Sequence, residues 1–418
     1  MGLNETPRAE RVHISIFGRR NAGKSSLINA ITGQNIAVVS PVMGTTTDPV
    51  YKSMELLPIG PVVFVDTAGL DDEGELGELR KSKSIDVLNK TDIAIIVVDA
   101  TVGLTQLEKD IAAKVKAKKL PAIIVVNKAD LHINDDDMRA LTSKLSNSHF
   151  FNSAPIFVSA AERNGIPELK QAIIAAAPKD NTEKSLLSGL VDDGDVVVLV
   201  TPIDSGAPKG RMILPQQQTI REVLDKNAIC IVTKETELEE TLKKLVAPPR
   251  IVITDSQAFD KVAALTPKNI PLTSFSIIFA RYKGDLEELV RGVTQIKKLK
   301  NGDRVLIAEA CTHHQQKDDI GTVKIPRWLK NITGKELELC YTNGGHFPED
   351  LLQYAMIIHC GACMINNKAM LSRIETAKQQ GVPIVNYGVL IGYVTDILER
   401  AIMPFPEASQ IWNSKKNS

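Results

Sequence analysis

A short segment near the start of the chain, Gly18 to Ser25, carries the residue types that bind phosphate. It follows the apolar run His13 to Phe17 and leads into a helical pattern, so a strand, a glycine-rich loop and a helix N-terminus follow one another. Lys24 is expected to reach the β- and γ-phosphate oxygens, and the Ser25 hydroxyl is expected to bind Mg²⁺. This spacing is that of a P-loop and predicts nucleotide binding. The expected loop contacts come from Gly18, Asn21, Ala22, Gly23, Lys24, Ser25 and Ser26.

Three cysteines in the last third of the chain could bind a metal. Cys311 and His313 form a C-x-H segment, while Cys360 and Cys363 follow His359 in an H-C-x-x-C segment. Three thiolates can hold three irons of a [4Fe–4S] cluster, and Gly361 is expected to relieve the crowded turn between two of them. On spacing alone, a Cys₃His zinc site or a redox-active dithiol is also open.

The other two cysteines, Cys230 and Cys340, lie inside apolar strand patterns. We interpret them as buried core residues, which is a common environment for cysteine. Five cysteines are too few, and odd in number, for a disulfide framework in a chain of 418 residues.

Further motifs extend the nucleotide prediction along the first part of the chain. The apolar run Pro61 to Val65 ends at Asp66, which would hold Mg²⁺ through water, and Gly69 would offer its N–H to the γ-phosphate. The segment before this run contains Thr46, our first choice for a switch residue that binds Mg²⁺ when the γ-phosphate is present, and Thr47, our second choice. We expect Lys24, Asn21, Thr46, Asp66 and Gly69 to support phosphate chemistry.

The base-recognition residues follow two later strands. After Ala122 to Val126, Asn127 would tie its loop to the P-loop, the Lys128 stem would cover one face of the base, and Asp130 would accept hydrogen bonds from guanine N1–H and its exocyclic amine. Adenine lacks that donor pair, so the motif predicts GTP and GDP as ligands. A further segment supplies Ser159 and Ala160, where a backbone N–H can meet guanine O6.

These motifs resemble those of Ras-like GTPases over roughly the first 175 positions. The threonine-rich segment and Asn21 are similar to the branch that includes MnmE and Era, also called the TrmE/Era type. That resemblance implies a K⁺ ion held by Asn21 that adds positive charge in the transition state. Leu70 stands where Ras has a water-orienting glutamine, so activation by that glutamine is not expected.

Composition narrows the class of protein. Fifty basic residues balance fifty acidic ones, which disfavours a protein living on nucleic acid or anionic lipid. The beginning of the chain lacks a basic region followed by an apolar core, and no apolar run is long enough for a membrane span, so we expect a cytoplasmic protein.

The elements that position these residues predict an α/β fold in three parts. A Ras-like P-loop domain is expected over 1–178, and a small α/β unit over 186–265, too short for a large core of its own, is expected to dimerise. A Rossmann-like α/β domain is expected over 266–418. From Arg250 onward the expected strands are Ile251 to Thr254, Ser276 to Ala280, Val305 to Ala308, Leu337 to Tyr341, Met356 to His359 and Ile384 to Asn386.

The order of these parts, with C-x-H and then H-C-x-x-C near the end, resembles the [FeFe]-hydrogenase maturation GTPases of the HydF family over nearly the whole chain. The resemblance implies a [4Fe–4S] cluster on Cys311, Cys360 and Cys363, with His313 and His359 close to it as ligands or as supporting residues. It implies a scaffold or carrier for a transient diiron precursor. The implied partners are a second copy of the chain or a larger homo-oligomer, two radical-SAM maturases and the immature (apo) hydrogenase.

Two other functions compete with this interpretation. An RNA-modification or ribosome-assembly GTPase with a structural zinc is favoured by the MnmE-like switch segment but disfavoured by the neutral charge balance. A redox protein would use Cys360 and Cys363 as a dithiol.

Overall fold

The computed structural model describes residues 8–33, 49–67, 86–131, 135–146, 154–177, 185–203, 212–310, 319–344 and 347–416. The predicted site residues Thr46, Gly69, Cys311 and His313 lie outside these ranges. The chain divides into two compact units, Met1–Lys179 and Asp180–Ser418. Within the described ranges, no helix has the length and apolar character needed to cross a bilayer.

The first unit is built on a six-stranded sheet with the order β2-β3-β1-β4-β5-β6. Only the pairing of β2 with β3 is antiparallel. The strands are β1 Val12–Phe17, β2 Val50–Leu56, β3 Gly60–Asp66, β4 Ile93–Asp99, β5 Ala122–Asn127 and β6 Ile156–Phe157. Because the chain leaves β1 toward β3 and returns to β4 on the other side, the loop after β1 lies at a topological switch point, where α/β sheets bind ligands.

Helices cover both faces of this sheet. Every residue of β1 and β4 is buried, as expected for parallel strands between two helical layers. The helices are Lys24–Thr32, Gln106–Ala117, Asp135–Ser146 and Ile166–Ala176, with a 3₁₀ turn at Arg8–Glu10.

His13 in β1 gives the first unit a defined response to acid. Only 4% of the residue is exposed, and its Nδ1 lies 2.9 Å from the Arg11 carbonyl oxygen. Burial lowers the pKa of His13 from 6.5 to about 4. Between these values the unfolded chain binds the proton and the folded chain does not, so stability is lost as the pH falls from about 6.5 to about 4.

We expect His13 to account for about 3 kcal/mol of lost stability over that interval. Urea unfolding of the whole chain and of a His13→Gln variant, followed by circular dichroism from pH 7 to pH 4, measures this contribution. The variant should show a flatter pH dependence in the transition of the first unit. Parallel curves for the two proteins would contradict the assignment.

The second unit contains two parallel four-stranded sheets. The first has the order β10-β9-β7-β8, and the second has the order β12-β11-β13-β14. The strands are β7 Val196–Val200, β8 Ile229–Thr233, β9 Ile251–Thr254, β10 Leu272–Ser274, β11 Arg304–Glu309, β12 Glu338–Asn343, β13 Met356–His359 and β14 Ile384–Asn386. One large apolar core includes residues of both sheets, such as Leu199 and Ile307.

The helices of this unit lie between its strands or follow the last of them. The α-helices are Leu214–Asp225, Leu238–Lys244, Phe259–Leu265, Phe275–Lys283, Leu286–Val293, Ile325–Thr333, Asn367–Gln379, Tyr387–Val394, Leu398–Ile402 and Pro406–Lys416. Short 3₁₀ turns lie at Ser256–Ala258 and Ile296–Lys298, and a π-helical turn at Ile320–Lys324 precedes Ile325–Thr333.

The strand expected at Ser276 to Ala280 is wrong, because this segment belongs to the helix Phe275–Lys283. The Ser274 side chain accepts a hydrogen bond from the Ile277 N–H and caps the helix. Ile277, Ile278 and Phe279 are all buried, and a helix buried on several sides has the same continuous apolar pattern as a buried strand.

Cys230 and Cys340 are half-buried rather than buried core residues, which corrects the expectation from their strand patterns. Cys230 lies on β8 and Cys340 on β12, and both strands are at the edge of their sheets. An edge strand has one neighbouring strand instead of two, so its side chains are covered less completely.

Candidate functional site

The loop after β1 folds tightly enough to require glycine at two positions. Gly18 has φ 149°, and a Cβ there would lie 2.5 Å from the Val97 carbonyl oxygen. Gly23 has φ 86°, and a Cβ there would lie 2.2 Å from Nδ2 of Asn127. Asn21 between them has φ 62°, in the left-handed region that asparagine tolerates better than most residues. The loop therefore has the bent backbone that a P-loop needs.

The Lys24 side chain bridges two carbonyl oxygens of this loop. Its Nζ donates to the carbonyl oxygens of Gly18 at 2.9 Å and of Arg19 at 2.7 Å, and the residue is buried. Ala22 is also buried, whereas Asn21 and Ser26 are exposed. A buried ammonium that bridges two loop carbonyls is placed beside the space that the loop encloses.

The two residues expected to hold Mg²⁺ lie in contact. Ser25, at the start of the helix Lys24–Thr32, donates its hydroxyl to Oδ2 of Asp66 at 2.5 Å. Asp66 ends β3, and burial raises its pKa although the Ser25 hydrogen bond and the Lys24 charge act in the opposite direction. A hydroxyl and a carboxylate oxygen at this spacing are the donor types that Mg²⁺ prefers.

Asn127 joins three of the predicted segments. Its Nδ2 donates to the Ala22 carbonyl oxygen at 2.9 Å, and its Oδ1 accepts from the Ala160 N–H at 3.1 Å. The side chain is 2% exposed. The loop after β5 is thus tied both to the P-loop and to the segment after β6.

Lys128 is oriented by a residue that the sequence interpretation missed. Its Nζ forms an ion pair with Oδ2 of Asp99 at 2.7 Å, and Lys128 has φ 64°. Burial raises the pKa of Asp99, but hydrogen bonds from Lys128 and Thr101 outweigh burial and lower it overall. Asp99 pairs in register with Asn127 at the carboxyl end of β4. A carboxylate at the end of a buried strand was the sequence feature that could have predicted its place in the site.

The remaining base-recognition residues surround the same edge. Asp130 is exposed and so is available to a ligand. Ser159 is 2% exposed, and its Oγ accepts a hydrogen bond from the Glu162 N–H at 3.1 Å. Asp130 can therefore accept hydrogen bonds from a base, while Ser159 stabilises the loop beside it.

In the second unit, the strands that precede the cysteine segments are neighbours. β11 and β13 are parallel, with Ala308 opposite His359. The Cys360 N–H donates to the Ala308 carbonyl oxygen at 2.9 Å, and the Cys360 sulfur accepts from the Ala310 N–H at 3.1 Å. Cys360 thus lies against the residue that directly precedes Cys311 in the chain.

The two thiols of the C-x-x-C segment differ in burial, since Cys360 is buried and Cys363 is half-buried. Burial raises the pKa of Cys360 to about 11, and it also raises the pKa of Cys363. The residue with a left-handed backbone in this turn is Ala362, at φ 55°, and a Cβ at Gly361 would meet nothing within 4 Å. The expectation that Gly361 relieves a crowded turn is therefore wrong.

His359 is fully buried and both of its ring nitrogens are engaged. Nδ1 lies 2.8 Å from the Cys360 carbonyl oxygen, and Nε2 lies 2.8 Å from Nη1 of Arg373. Burial and the Arg373 charge lower the pKa of His359 to about 3, so the ring is neutral. Arg373 can only donate, so Nε2 accepts and Nδ1 carries the proton. This arrangement favours a supporting role for His359 over direct metal ligation.

The described ranges contain no group of three or more His, Cys, Asp or Glu side chains arranged to bind a metal. They contain Cys360 and Cys363, while Cys311 and His313 lie outside them. The sequence interpretation also missed Lys283 and Arg373, two buried cations beside the C-x-x-C segment. Lys283 lies in a helix 80 residues before Cys363, whereas Arg373 lies in the helix Asn367–Gln379 that follows the segment, and no spacing rule connects either residue with the cysteines.

Comparison with known families adds an independent finding. The model of the hydrogen maturase F dimerization domain matches residues 186–284, and that of the hydrogen maturase F tetramerization domain matches residues 287–404. The first unit matches the 50S ribosome-binding GTPase model over 13–128 and the elongation factor Tu GTP binding domain model over 79–179. The maturase domains together cover most of the second unit.

Similar proteins match the first part of the chain. GTPase Der of Kosmotoga olearia is 34% identical over 177 residues, which cover 41% of this chain and 40% of the relative. GTPase Der of Sulfurimonas denitrificans is 37% identical over 157 residues, which cover 37% of this chain and 32% of the relative. The chain thus spans less than half the length of these curated relatives.

Among solved structures, Era in complex with MgGDPNP and a segment of 16S ribosomal RNA is 18% identical, with a TM-score of 0.37, and the match covers 53% of this chain and 93% of that one. The two maturase domains follow one another without a large gap, and a GTPase domain precedes them. The chain therefore belongs to the hydrogen maturase F (HydF) family of hydrogenase-maturation GTPases.

Proposed function

We propose that this chain is a GTP-hydrolysing scaffold or carrier that binds a [4Fe–4S] cluster and assembles or delivers the diiron precursor of [FeFe]-hydrogenase. The observation that carries the proposal is the pairing of β11 with β13, which places the Cys360 sulfur 3.1 Å from the Ala310 nitrogen. The next residue after Ala310 is Cys311. Three sulfur donors from two segments would meet at one end of this sheet.

The donor set fits an iron–sulfur group. Cysteine sulfurs that accept backbone N–H bonds are a feature of such sites, and the Cys360 sulfur accepts one from Ala310. The cluster would be held by Cys311, Cys360 and Cys363. His359 would orient the backbone of Cys360 through its hydrogen bond with the Cys360 carbonyl oxygen. When bound, a cluster held by three cysteines would supply one iron position at which a ligand can exchange.

The nucleotide-binding residues would act as a switch. Lys24 would neutralise the β- and γ-phosphates, while Ser25 and Asp66 would hold Mg²⁺ directly and through water. Thr46 and Gly69, outside the described ranges, would complete this set when the γ-phosphate is present. GTP hydrolysis would then change contacts with partners or the release of cargo, and would not drive chemistry on the cluster.

We expect K⁺ to stimulate GTP hydrolysis by about tenfold or more over Na⁺, because a bound cation would replace the charge that an arginine finger gives other GTPases. Asn21 is the proposed ligand, in the exposed left-handed turn of the P-loop. Turnover in matched KCl and NaCl, measured for the whole chain and for Asn21→Ala, checks this. Equal rates in the two salts would remove the K⁺ site.

The homo-oligomer indicated by the family domains would use the edge strand β8. Among the strands that the structure describes, β8 pairs with β7 alone, and it exposes 55% of Ile229 and 45% of Val232. Unpaired backbone groups flanked by apolar side chains can add a strand from a second copy.

We expect Val232→Lys to weaken the dimer by about 2 kcal/mol, or about 30-fold in the dissociation constant, because apolar contact is lost and like charges approach. Light scattering after size-exclusion chromatography over a dilution series measures the change. Val246→Lys is the matched control, because Val246 is fully exposed outside the strands. Equal masses for wild type and Val232→Lys at every dilution would exclude β8 as the interface.

The match of the first unit to the 50S ribosome-binding GTPase model keeps one alternative open, an RNA-modification or ribosome-assembly GTPase with a structural zinc. Anaerobic purification followed by metal analysis and an absorption spectrum separates the candidates. The proposed function predicts a brown protein with about four irons per chain, whereas the alternative predicts a colourless protein with about one zinc. A metal-free protein would favour the interpretation of Cys360 and Cys363 as a redox-active dithiol.

The two radical-SAM maturases and the immature hydrogenase are the proposed partners.

A further inference from the structure

Two cationic side chains are buried on either side of the C-x-x-C segment. Lys283 is the last residue of the helix Phe275–Lys283 and is 1% exposed. Arg373 lies in the helix Asn367–Gln379 and is 4% exposed. Burying a lysine or an arginine costs several kcal/mol unless nearby groups compensate for the lost hydration, so such positions usually have a specific role.

Lys283 holds the end of the segment that contains Cys363. Its Nζ lies 3.4 Å from the Cys363 carbonyl oxygen and 3.3 Å from the Ile365 carbonyl oxygen, and it lies 6.0 Å from the centre of the Phe279 ring. The positive charge favours the thiolate of Cys363 and so opposes the effect of burial on that group. Lys283 therefore fixes the backbone that carries one sulfur and places a charge beside it.

Arg373 holds the other end of the segment through His359. It donates Nη1 to His359 Nε2 at 2.8 Å and Nη2 to the Gly344 carbonyl oxygen at 3.3 Å, and it lies over the Phe347 ring at 5.0 Å. His359 passes this restraint to the Cys360 carbonyl oxygen. The Arg373 charge also favours the thiolate of Cys360.

The charge of the group proposed for this site explains why two cations are useful there. A [4Fe–4S] core carries a charge of about +2 when oxidised and +1 when reduced, and three thiolates bring about −3, so the assembly is anionic in both states and more so after reduction. Nearby positive charges stabilise the reduced state more than the oxidised state. Net charge and solvent exposure are among the features that set the potentials of such clusters.

We propose that Lys283 and Arg373 are positioning residues that fix the two ends of the Cys360–Cys363 segment and raise the reduction potential of the iron–sulfur group bound there. This inference rests on the proposed function. It adds two helix residues to the cluster site, one from much earlier in the chain and one from the helix that follows the cysteine segment.

The test separates charge from hydrogen bonding. Lys283→Gln keeps an N–H donor for the two carbonyls and removes the charge, while Lys283→Arg keeps the charge. In the same way, Arg373→Gln removes the charge at the second position and Arg373→Lys keeps it. Each whole-chain variant is reconstituted with iron and sulfide and assayed for iron content. Its midpoint potential is measured by dithionite titration followed by electron paramagnetic resonance. Circular dichroism and thermal unfolding of each variant control for folding of the second unit, and GTP turnover shows that the first unit is intact.

We expect both glutamine variants to shift the midpoint to more negative potential and both charge-keeping variants to remain close to wild type, with GTP turnover unchanged. Loss of iron in a glutamine variant, recovered in its charge-keeping partner, supports the same assignment. Iron-loaded glutamine variants with the wild-type potential would overturn this inference alone. A wild-type chain that takes up no iron would overturn the proposed function together with it.

Where a glutamine variant fails to fold, the double variant Lys283→Arg with Arg373→Lys supplies the remaining measurement. It keeps both charges and changes the geometry of both sets of hydrogen bonds. A wild-type potential with reduced iron content would support separate charge and positioning roles. A potential shifted to more negative values although both charges are kept would overturn the charge role.

Discussion

Replacing Cys360 with serine is expected to lower bound iron from about four atoms per chain to less than about one, while GTP turnover stays within about twofold of wild type. Serine has nearly the same size, but its hydroxyl is a poor ligand for iron because it stays protonated at neutral pH. Iron content is measured after anaerobic reconstitution, and turnover is measured on the same sample.

The structure makes Cys360 the most sensitive of the described thiols. It is 9% exposed, and its sulfur accepts the Ala310 N–H at the junction between β11 and the segment that carries Cys311. A serine hydroxyl can accept the same hydrogen bond, so local folding should persist. The loss should therefore be one of metal binding and not of stability.

Cys340→Ser and Cys230→Ser are matched controls. Both cysteines are half-buried on edge strands, and neither lies at the end of β11 or β13. Full iron in both controls and little iron in Cys360→Ser would support the three-cysteine site. Full iron in Cys360→Ser would contradict it, and loss of GTP turnover in that variant would show that the two units are not independent.

Much of the fold follows from sequence pattern, for reasons that particular segments make clear. β4 is a run of Ile, Ala and Val buried on both faces, and such a run predicts a central parallel strand directly. The loop after β1 requires glycine at positions 18 and 23, so the spacing of these two glycines in the sequence predicts the bent backbone of the loop. In β4 and in the loop after β1, the local sequence pattern agrees with the observed fold.

The segment Phe275–Lys283 shows where pattern reasoning stops. Its apolar residues are buried on several sides, so its periodicity does not distinguish a helix from a strand, and Ser274 was needed as the deciding N-cap. Edge position is likewise a tertiary property. The exposure of Cys230 and Cys340 depends on which strands lack a neighbour, and strand order is not written in either strand's own sequence.

The two candidate sites also differ in how far the sequence predicts their residues. Asn127, Ser25 and Asp66 belong to motifs with fixed spacing, so each could be named in advance. Lys283 contacts a segment 80 residues later in the chain, and Arg373, in the helix after the cysteines, acts through the buried ring of His359, so only the packed structure shows that either residue belongs to the site.

Asp130→Asn is expected to weaken GDP binding by about 10³-fold and to create binding of xanthosine diphosphate. The exposed carboxylate would accept two charge-assisted hydrogen bonds from guanine, each contributing about 2 kcal/mol, and about 4 kcal/mol corresponds to about 10³-fold. Xanthine carries an oxygen where guanine carries the exocyclic amine. An asparagine amide can donate to that oxygen and accept from N1–H, so the preference should invert.

Titration calorimetry of the whole chain with GDP and with xanthosine diphosphate measures both affinities in one protein, and the ratio is insensitive to partial unfolding. Glu162→Gln is the control for charge alone, because it removes a carboxylate from the exposed segment just after Ser159 and Ala160. It should leave the ratio unchanged. Equal weakening of both nucleotides by Asp130→Asn would mean that the carboxylate supports the loop and does not read the base, a role that would add to the hydrogen bonds of Asn127 with Ala22 in the P-loop and with Ala160 after β6.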